Sequence, residues 1–120
     1  MIVIADLHAL PYDEAFRLLA SHLSEEVRIE TPDLSWMWRT QYPAPTIEAC
    51  HQVNHAMREH AFVYNFRTLE ATLLAAGFAR VERVPSEDGT LVVEAGGRGG
   101  VAPEYFDAPR EMYERDVNIR

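Results

Sequence analysis

Two histidines four residues apart are the first feature of the sequence that could do chemistry. On a helix, His51 and His55 lie on one face and could bind zinc. The HExxH zinc hydrolases also need a glutamate between the two histidines as general base, but Gln52 stands there, and an amide cannot take a proton. A hydrolase site is therefore excluded. A metal site completed by His60 or Glu48 is an alternative, but we expect a solvated helix face and no metal.

Two further titratable residues stand near the N-terminus. Asp6 and His8 follow the apolar run "MIVIA", which predicts a buried strand. Open α/β sheets bind ligands outside the carboxyl ends of their strands. Both side chains are therefore candidates for catalytic acid–base work.

Aromatic side chains are concentrated in a proline-flanked segment. Trp36, Met37, Trp38, Arg39 and Tyr42 lie within seven residues of one another. Clustered Trp, Tyr, Met and Arg are typical of the contact hot spots of interfaces. Three interpretations stay open: an interface, a lid in which Trp36 and Trp38 line a substrate pocket, and a piece of the core.

The composition is that of one acidic globular domain, since 120 residues suit a single core. The formal net charge of −8 argues against a nucleic-acid partner, because affinity for phosphates rests largely on Lys and Arg. All eleven basic residues are arginine, which excludes Schiff-base and P-loop lysines. The apolar runs are shorter than the roughly 18 residues of a membrane span. No signal-peptide pattern is present. We expect a cytoplasmic protein without membrane contact.

The elements that must position these residues alternate between strand and helix patterns. "MIVIA" and "VRIETPDL" predict strands, with the helical pattern "YDEAFRLLASHL" between them. A loop to about residue 45 precedes a helix over 47–60, and a second helix runs from Asn65 or Thr68 to Gly77. "ARVERV", the turn "PSEDGT" and "LVVEA" predict a hairpin. The predicted fold class is α/β, with about four strands, the last one antiparallel, and helices packed on the sheet faces. We expect residues 1–95 to form the domain and residues 96–120 a polar tail that contains Gly and Pro.

The order and wording of these segments resemble the C-terminal half of a class I S-adenosylmethionine-dependent methyltransferase. "MIVIADLHALPYDEAFRLLASHL" looks like the fourth strand of that family, with its loop and helix. "VRIETPDL" looks like the fifth strand. "VNHAMREHAFVYNFRTLEATLLAAGFARVERV" is similar to the segment in which a substrate-side helix leads to "H.F.Y" and then "L..LL..AGF..V". The resemblance covers about residues 2–95 and implies a truncated Rossmann-like sheet.

The resemblance also implies an acceptor pocket beside His60. This histidine stands where the family places one, and its imidazole could act as general base toward a hydroxyl or amine. A packed, hydrogen-bonded histidine is the alternative. Tyr64 would be core or the wall of the substrate pocket. His8 and Ala9 stand where this branch of the family commonly has Glu-His, so that acid is replaced here.

The cofactor-binding part of the family has no counterpart in this sequence. Family members approach the cofactor with a glycine-rich turn after their first strand. No glycine precedes Gly77, and no helix start follows "GGRGG" at residues 96–100. We expect this chain alone to bind no cofactor, while S-adenosylmethionine could bind in an assembly.

Without the first three strands of the family, Met1–Ala5 becomes an edge strand. It lacks the lysines, prolines and inward charges that protect such edges. We expect pairing there with a second copy or with another polypeptide.

Three functions are consistent with these features of the sequence. The first is a partner or accessory subunit of a methyltransferase system, catalytic only within the assembly. The second is a non-catalytic homo-oligomeric relic of the fold that binds a partner or small ligand. The third is a small cofactor-independent enzyme that uses Asp6, His8 and His60.

Overall fold

Four strands form one open mixed sheet in the computed structural model, which describes residues 1–40 and 46–104. The strands are β1 (Ile2–Ile4), β2 (Val27–Pro32), β3 (Phe78–Val84) and β4 (Thr90–Arg98), and their order in the sheet is β1-β2-β4-β3. β1 and β2 are parallel, whereas β4 is antiparallel to both of its neighbours. The carboxyl ends of β1, β2 and β3 therefore point to the same edge of the sheet. The predicted α/β class and the antiparallel last strand are confirmed.

Within the described residues, four α-helices and a short 3-10 helix connect the strands. They are the 3-10 helix at Leu7–Ala9, α1 (Tyr12–Ala20), α2 (Leu34–Thr40), α3 (Ile47–Glu59) and α4 (Phe66–Ala76). The cap of α4 is Asn65, whose side chain accepts from the Thr68 amide at 2.8 Å, while the Asn65 amide donates back to the Thr68 hydroxyl at 3.0 Å. Gly77 ends the helix with a φ of 114°, a conformation that glycine adopts without steric cost. No described helix is long and apolar enough to cross a membrane.

The predicted loop between Asp33 and residue 45 is wrong in its first half, because α2 lies there. The Asp33 carboxylate accepts a hydrogen bond from the Ser35 amide at 3.0 Å and so supports the first turn of this helix. Met37 is the one buried residue within α2. Two helical turns with one buried side chain show no apolar period in the sequence.

The core lies on one face of the sheet. Val27 and Ile29 of β2 pair with Ala95 and Val93 of β4, and all four side chains are fully buried. Residues from α1 and α4 cover them, including Leu19, Leu69 and Leu73. Burial of one large apolar side chain of this kind contributes roughly 1.5–3 kcal/mol to the free energy of unfolding. This layer fixes where the carboxyl ends of the strands emerge.

The opposite face of the sheet carries charged side chains that form ion pairs. Arg28 of β2 pairs with Glu30 at 3.2 Å and with Glu94 of β4 at 3.5 Å, and Arg80 of β3 pairs with Glu26. These side chains are only partly exposed and satisfy one another. Ion pairs of this kind suit a face that water reaches in part.

β1 is an edge strand in the part of the chain described, as predicted, because β2 is its sole neighbour. The Ile2 amide donates to the Glu26 carbonyl at 2.9 Å, so it faces β2. Backbone groups alternate in direction along a strand, and those of Val3 consequently face the open edge. The Val3 side chain is 57 % exposed.

The last strand extends beyond residue 95, where the sequence predicted the end of the domain. β4 continues through Arg98, and the amides of Gly99 and Gly100 both donate to the Gly77 carbonyl at 3.0 Å. A Cβ on Gly100 would lie 1.8 Å from the Phe78 carbonyl oxygen, so this close approach requires glycine. The "GGRGG" segment is the end of the sheet, neither a linker nor a phosphate loop. The rest of the predicted tail, 105–120, lies outside the described residues.

Candidate functional site

Residues that follow the carboxyl ends of β1, β2 and β3 lie along one edge of the sheet, which we call the carboxyl edge. His8 follows β1, Asp33 follows β2, and the turn from Pro85 to Gly89 follows β3. The segment 60–64 contacts both of the first two. It pairs with His8 at one end, and Tyr64 forms an isolated parallel bridge with Asp33 at the other. This edge is where open α/β sheets place their ligands.

The structure brings the two predicted catalytic histidines together. The rings of His8 and His60 meet edge to face, with centroids 4.9 Å apart and an interplanar angle of 74°. The amides of Ala61 and Phe62 donate to the His8 carbonyl at 2.9 Å and 3.2 Å. The backbone thus fixes the contact between two residues that are 52 positions apart in the chain.

The surroundings of His8 favour the neutral form of its imidazole. Burial lowers the pKa of His8, and the neighbouring His60 lowers it further, while the Asp6 carboxylate acts in the opposite direction. A neutral imidazole can accept a proton, as a general base must. The Nδ1 atoms of both rings are buried without a hydrogen-bond partner. No described carboxylate is hydrogen-bonded to either ring, and Asp6 is exposed, so the third group that orients a catalytic base is missing here.

Asp33 is a residue of the carboxyl edge that the sequence alone did not identify. Its side chain is 8 % exposed, and one carboxylate oxygen accepts from the Arg83 guanidinium at 3.3 Å while the other accepts from the Ser35 amide. Its own amide donates to the Gly89 carbonyl at 3.0 Å. Asp33 therefore ties the end of β2 to the turn between β3 and β4. The one available signal was an acidic residue directly after the predicted strand.

Tyr64 lies in the core. Its side chain is fully buried, and its ring packs against Phe62 and Tyr12 with centroid separations of 4.8 Å and 6.4 Å. The Tyr64 hydroxyl has no hydrogen-bond partner, and burial raises its pKa. Of the two roles expected for this residue, core and pocket wall, the structure places it in the first.

The aromatic residues that cluster in the sequence point to different places from α2. Trp36 lines a cleft of about 380 Å³ between α2 and the β3–β4 turn. Trp38 is 67 % exposed and lines a second cleft of about 410 Å³, which Asn65 also borders. Met37 belongs to the core, and Tyr42 lies outside the described residues. The two tryptophans thus line separate clefts.

The paired histidines of α3 belong to no described cluster of metal ligands. His51 and His55 are exposed on that helix. Among the side chains that the structure describes, no three or more of His, Cys, Asp or Glu are grouped so that they could hold a metal ion.

Comparison with other proteins adds no identification. No known protein-family model matches the chain, and curated proteins include no significant relative.

Proposed function

We propose that this chain is a partner subunit of an S-adenosylmethionine-dependent methyltransferase system and supplies the acceptor side of the site. In this proposal, another polypeptide pairs with β1 and brings the glycine-rich cofactor turn. The observation that carries the proposal is the open edge at β1, where the outward backbone groups of Val3 have no described neighbour. The likeness of the sequence segments supplies the methyl-transfer chemistry.

The order of the strands supports this assignment. The resemblance pairs β1 and β2 with the fourth and fifth strands of the family and β4 with its last, antiparallel strand. In the sheet, β4 is antiparallel and lies between β2 and β3. A partner strand added to β1 would place its own carboxyl end next to His8 if it runs parallel.

The carboxyl edge supports a role on the acceptor side. Burial lowers the pKa of His8, and its ring touches that of His60, so either imidazole could take a proton from an acceptor hydroxyl or amine. S-adenosylmethionine, when bound in the assembly, would supply the methyl group. This chain would orient the acceptor and receive its proton.

Calorimetric measurement of S-adenosylmethionine binding tests the proposal. The chain alone should give no binding heat, whereas a mixture with the product of an adjacent reading frame that carries a glycine-rich turn should bind. The Val3→Pro variant, which removes the outward amide of β1, should abolish binding in the mixture, and Val3→Thr should preserve it. Tight binding by the chain alone, or binding by the mixture that Val3→Pro leaves unchanged, contradicts the proposal.

A second candidate is a small enzyme that uses Asp6, His8 and His60 without a nucleotide cofactor. The contact between the two imidazoles favours it, because sequence alone could not bring them together. The exposed position of Asp6, without a hydrogen bond to either ring, counts against it. Acid–base turnover of a substrate by the chain alone, lost in His60→Ala, would favour this candidate over the first.

A further inference from the structure

We propose that the cleft between α2 and the β3–β4 turn binds a small zwitterion, with a carboxylate and an ammonium group on one apolar body. We call it the Trp36 cleft. Its volume is about 380 Å³, and one wall comes from the start of α2 while the other comes from the turn. The residues that the inference uses are Trp36, Arg39, Arg83, Glu87, Asp88 and Gly89. The volume lies within the range of small-molecule sites.

Arg83 is positioned in this cleft to donate hydrogen bonds to the carboxylate of a ligand. One of its N–H groups donates to the buried Asp33, and its guanidinium lies over the Phe66 ring, 5.7 Å from the centroid. Its side chain is still 52 % exposed, and a guanidinium has five N–H donors. Asp33 and Phe66 thus hold the group in place, and about half of the side chain remains accessible to a ligand.

Arg39 supplies a second cation from α2. It is exposed, lines the same cleft and makes no ion pair within the described ranges. Arginine is suited to carboxylates, because its planar fork matches both oxygens. A carboxylate in the cleft would therefore meet two guanidinium groups.

The β3–β4 turn supplies the opposite charge. Glu87 and Asp88 are exposed, line the cleft and form no ion pair with any described residue. The turn is held by hydrogen bonds from the Thr90 amide to the Glu87 carbonyl and from the Ser86 hydroxyl to the Thr90 carbonyl. An ammonium group would find carboxylates on a fixed turn.

Trp36 supplies an apolar wall between the two charged ends. Its indole packs on Gly89, where a Cβ would lie 3.3 Å from the ring in a backbone of φ +86°. Trp36 is partly exposed and can contact a ligand as well. A purely anionic ligand would meet repulsion from Glu87 and Asp88, and a purely cationic one from Arg39, so a zwitterion fits best. This binding does not depend on methyl transfer, and its failure would leave the edge-pairing proposal standing.

Three probes of one shape and different charge test the inference: L-phenylalanine, 3-phenylpropanoate and phenethylamine. The chain has two tryptophans, so the Trp38→Phe variant makes Trp36 the sole tryptophan reporter in a fluorescence titration. L-Phenylalanine should bind at least about tenfold more tightly than either singly charged probe, because each lacks one charge-assisted contact. No binding of L-phenylalanine, or equal binding of the three probes, would overturn the inference.

Variants separate the two charged ends of the cleft. Arg39→Gln in the same background should weaken L-phenylalanine binding by about tenfold, and Glu87→Gln should weaken it without weakening 3-phenylpropanoate. The matched control is Arg17→Gln, an exposed arginine of α1 that pairs with Asp13 at 3.2 Å. Unchanged affinity in Arg39→Gln, with Arg17→Gln also unchanged, would show that the binding does not use this cleft.

Discussion

Burial of His8, together with its contact with His60, should make the stability of the protein sensitive to mild acid. The pKa of His8 is lowered in the folded chain, so the unfolded chain takes up the proton first as the pH falls. The free energy of unfolding should therefore decrease from about pH 7.5 to 5.5, a range around the ordinary pKa of histidine. His8→Gln should show a flatter dependence in urea titrations at several pH values.

A matched substitution separates this effect from other histidines. His51→Gln removes an exposed imidazole of α3 and should keep the wild-type dependence on pH. If His8→Gln loses stability over this pH range as steeply as the wild type does, the burial of His8 is not the cause.

Tyr12, which is partly buried, and Tyr64, which is fully buried, should respond oppositely to the same change. The Tyr12 hydroxyl is 2.7 Å from the Thr72 hydroxyl, whereas the Tyr64 hydroxyl has no partner. Tyr12→Phe should cost about 1 kcal/mol of unfolding free energy, the usual net value of one hydrogen bond. Tyr64→Phe should be neutral or stabilising, because it removes an unsatisfied polar group. Urea unfolding measures both, and a loss with Tyr64→Phe as large as with Tyr12→Phe would mean that its hydroxyl is bonded.

At the residue scale, sequence alone could name candidate side chains but not the contacts between them. His8 and His60 were selected separately, and their contact depends on tertiary hydrogen bonds from Ala61 and Phe62. Asp33 was missed because its role comes from Arg83, 50 residues away. Pairings over such separations leave no local pattern in a single sequence.

At the scale of elements, the capping box of α4 stabilises its helix through contacts between residues only three positions apart. Asn65→Ala removes the acceptor for the Thr68 amide and should cost about 1 kcal/mol of unfolding free energy. Asn65→Ser, which can still accept that bond, should recover most of the loss. Equal destabilisation by both substitutions in urea unfolding would show that the cap contributes little.

Elements with a strong local signal were predicted correctly, and those set by tertiary contacts were not. Alternation in β2 and the Asn65 and Gly77 signals of α4 agree with the structure. α2 has one buried residue and was predicted as loop. The glycines at 96–100 were separated from the sheet, because the approach of Gly100 to Phe78 is visible only in three dimensions.

At the scale of the whole molecule, the distribution of charge indicates where a partner chain can bind to the sheet. The sheet face opposite the core carries paired Arg and Glu side chains, such as Arg28 with Glu94. The exposed apolar side chains at this end of the sheet are Met1 and Val3, beside the unpaired backbone of β1. A partner should therefore extend the sheet at its edge. Because β1 has only three residues, this association should depend on concentration.

The most direct test of that edge pairing is the molar mass of the purified protein by light scattering over a range of micromolar concentrations. Alone in solution, β1 can pair only with a second copy, so the mass should rise above the monomer value of 13.7 kDa. Val3→Pro removes the outward amide without touching the β1–β2 bonds and should restore the monomer, while Val3→Thr should still associate. Circular dichroism establishes that both variants are folded. A wild-type protein that stays at the monomer mass, or an assembly that Val3→Pro leaves intact, would contradict pairing at the β1 edge.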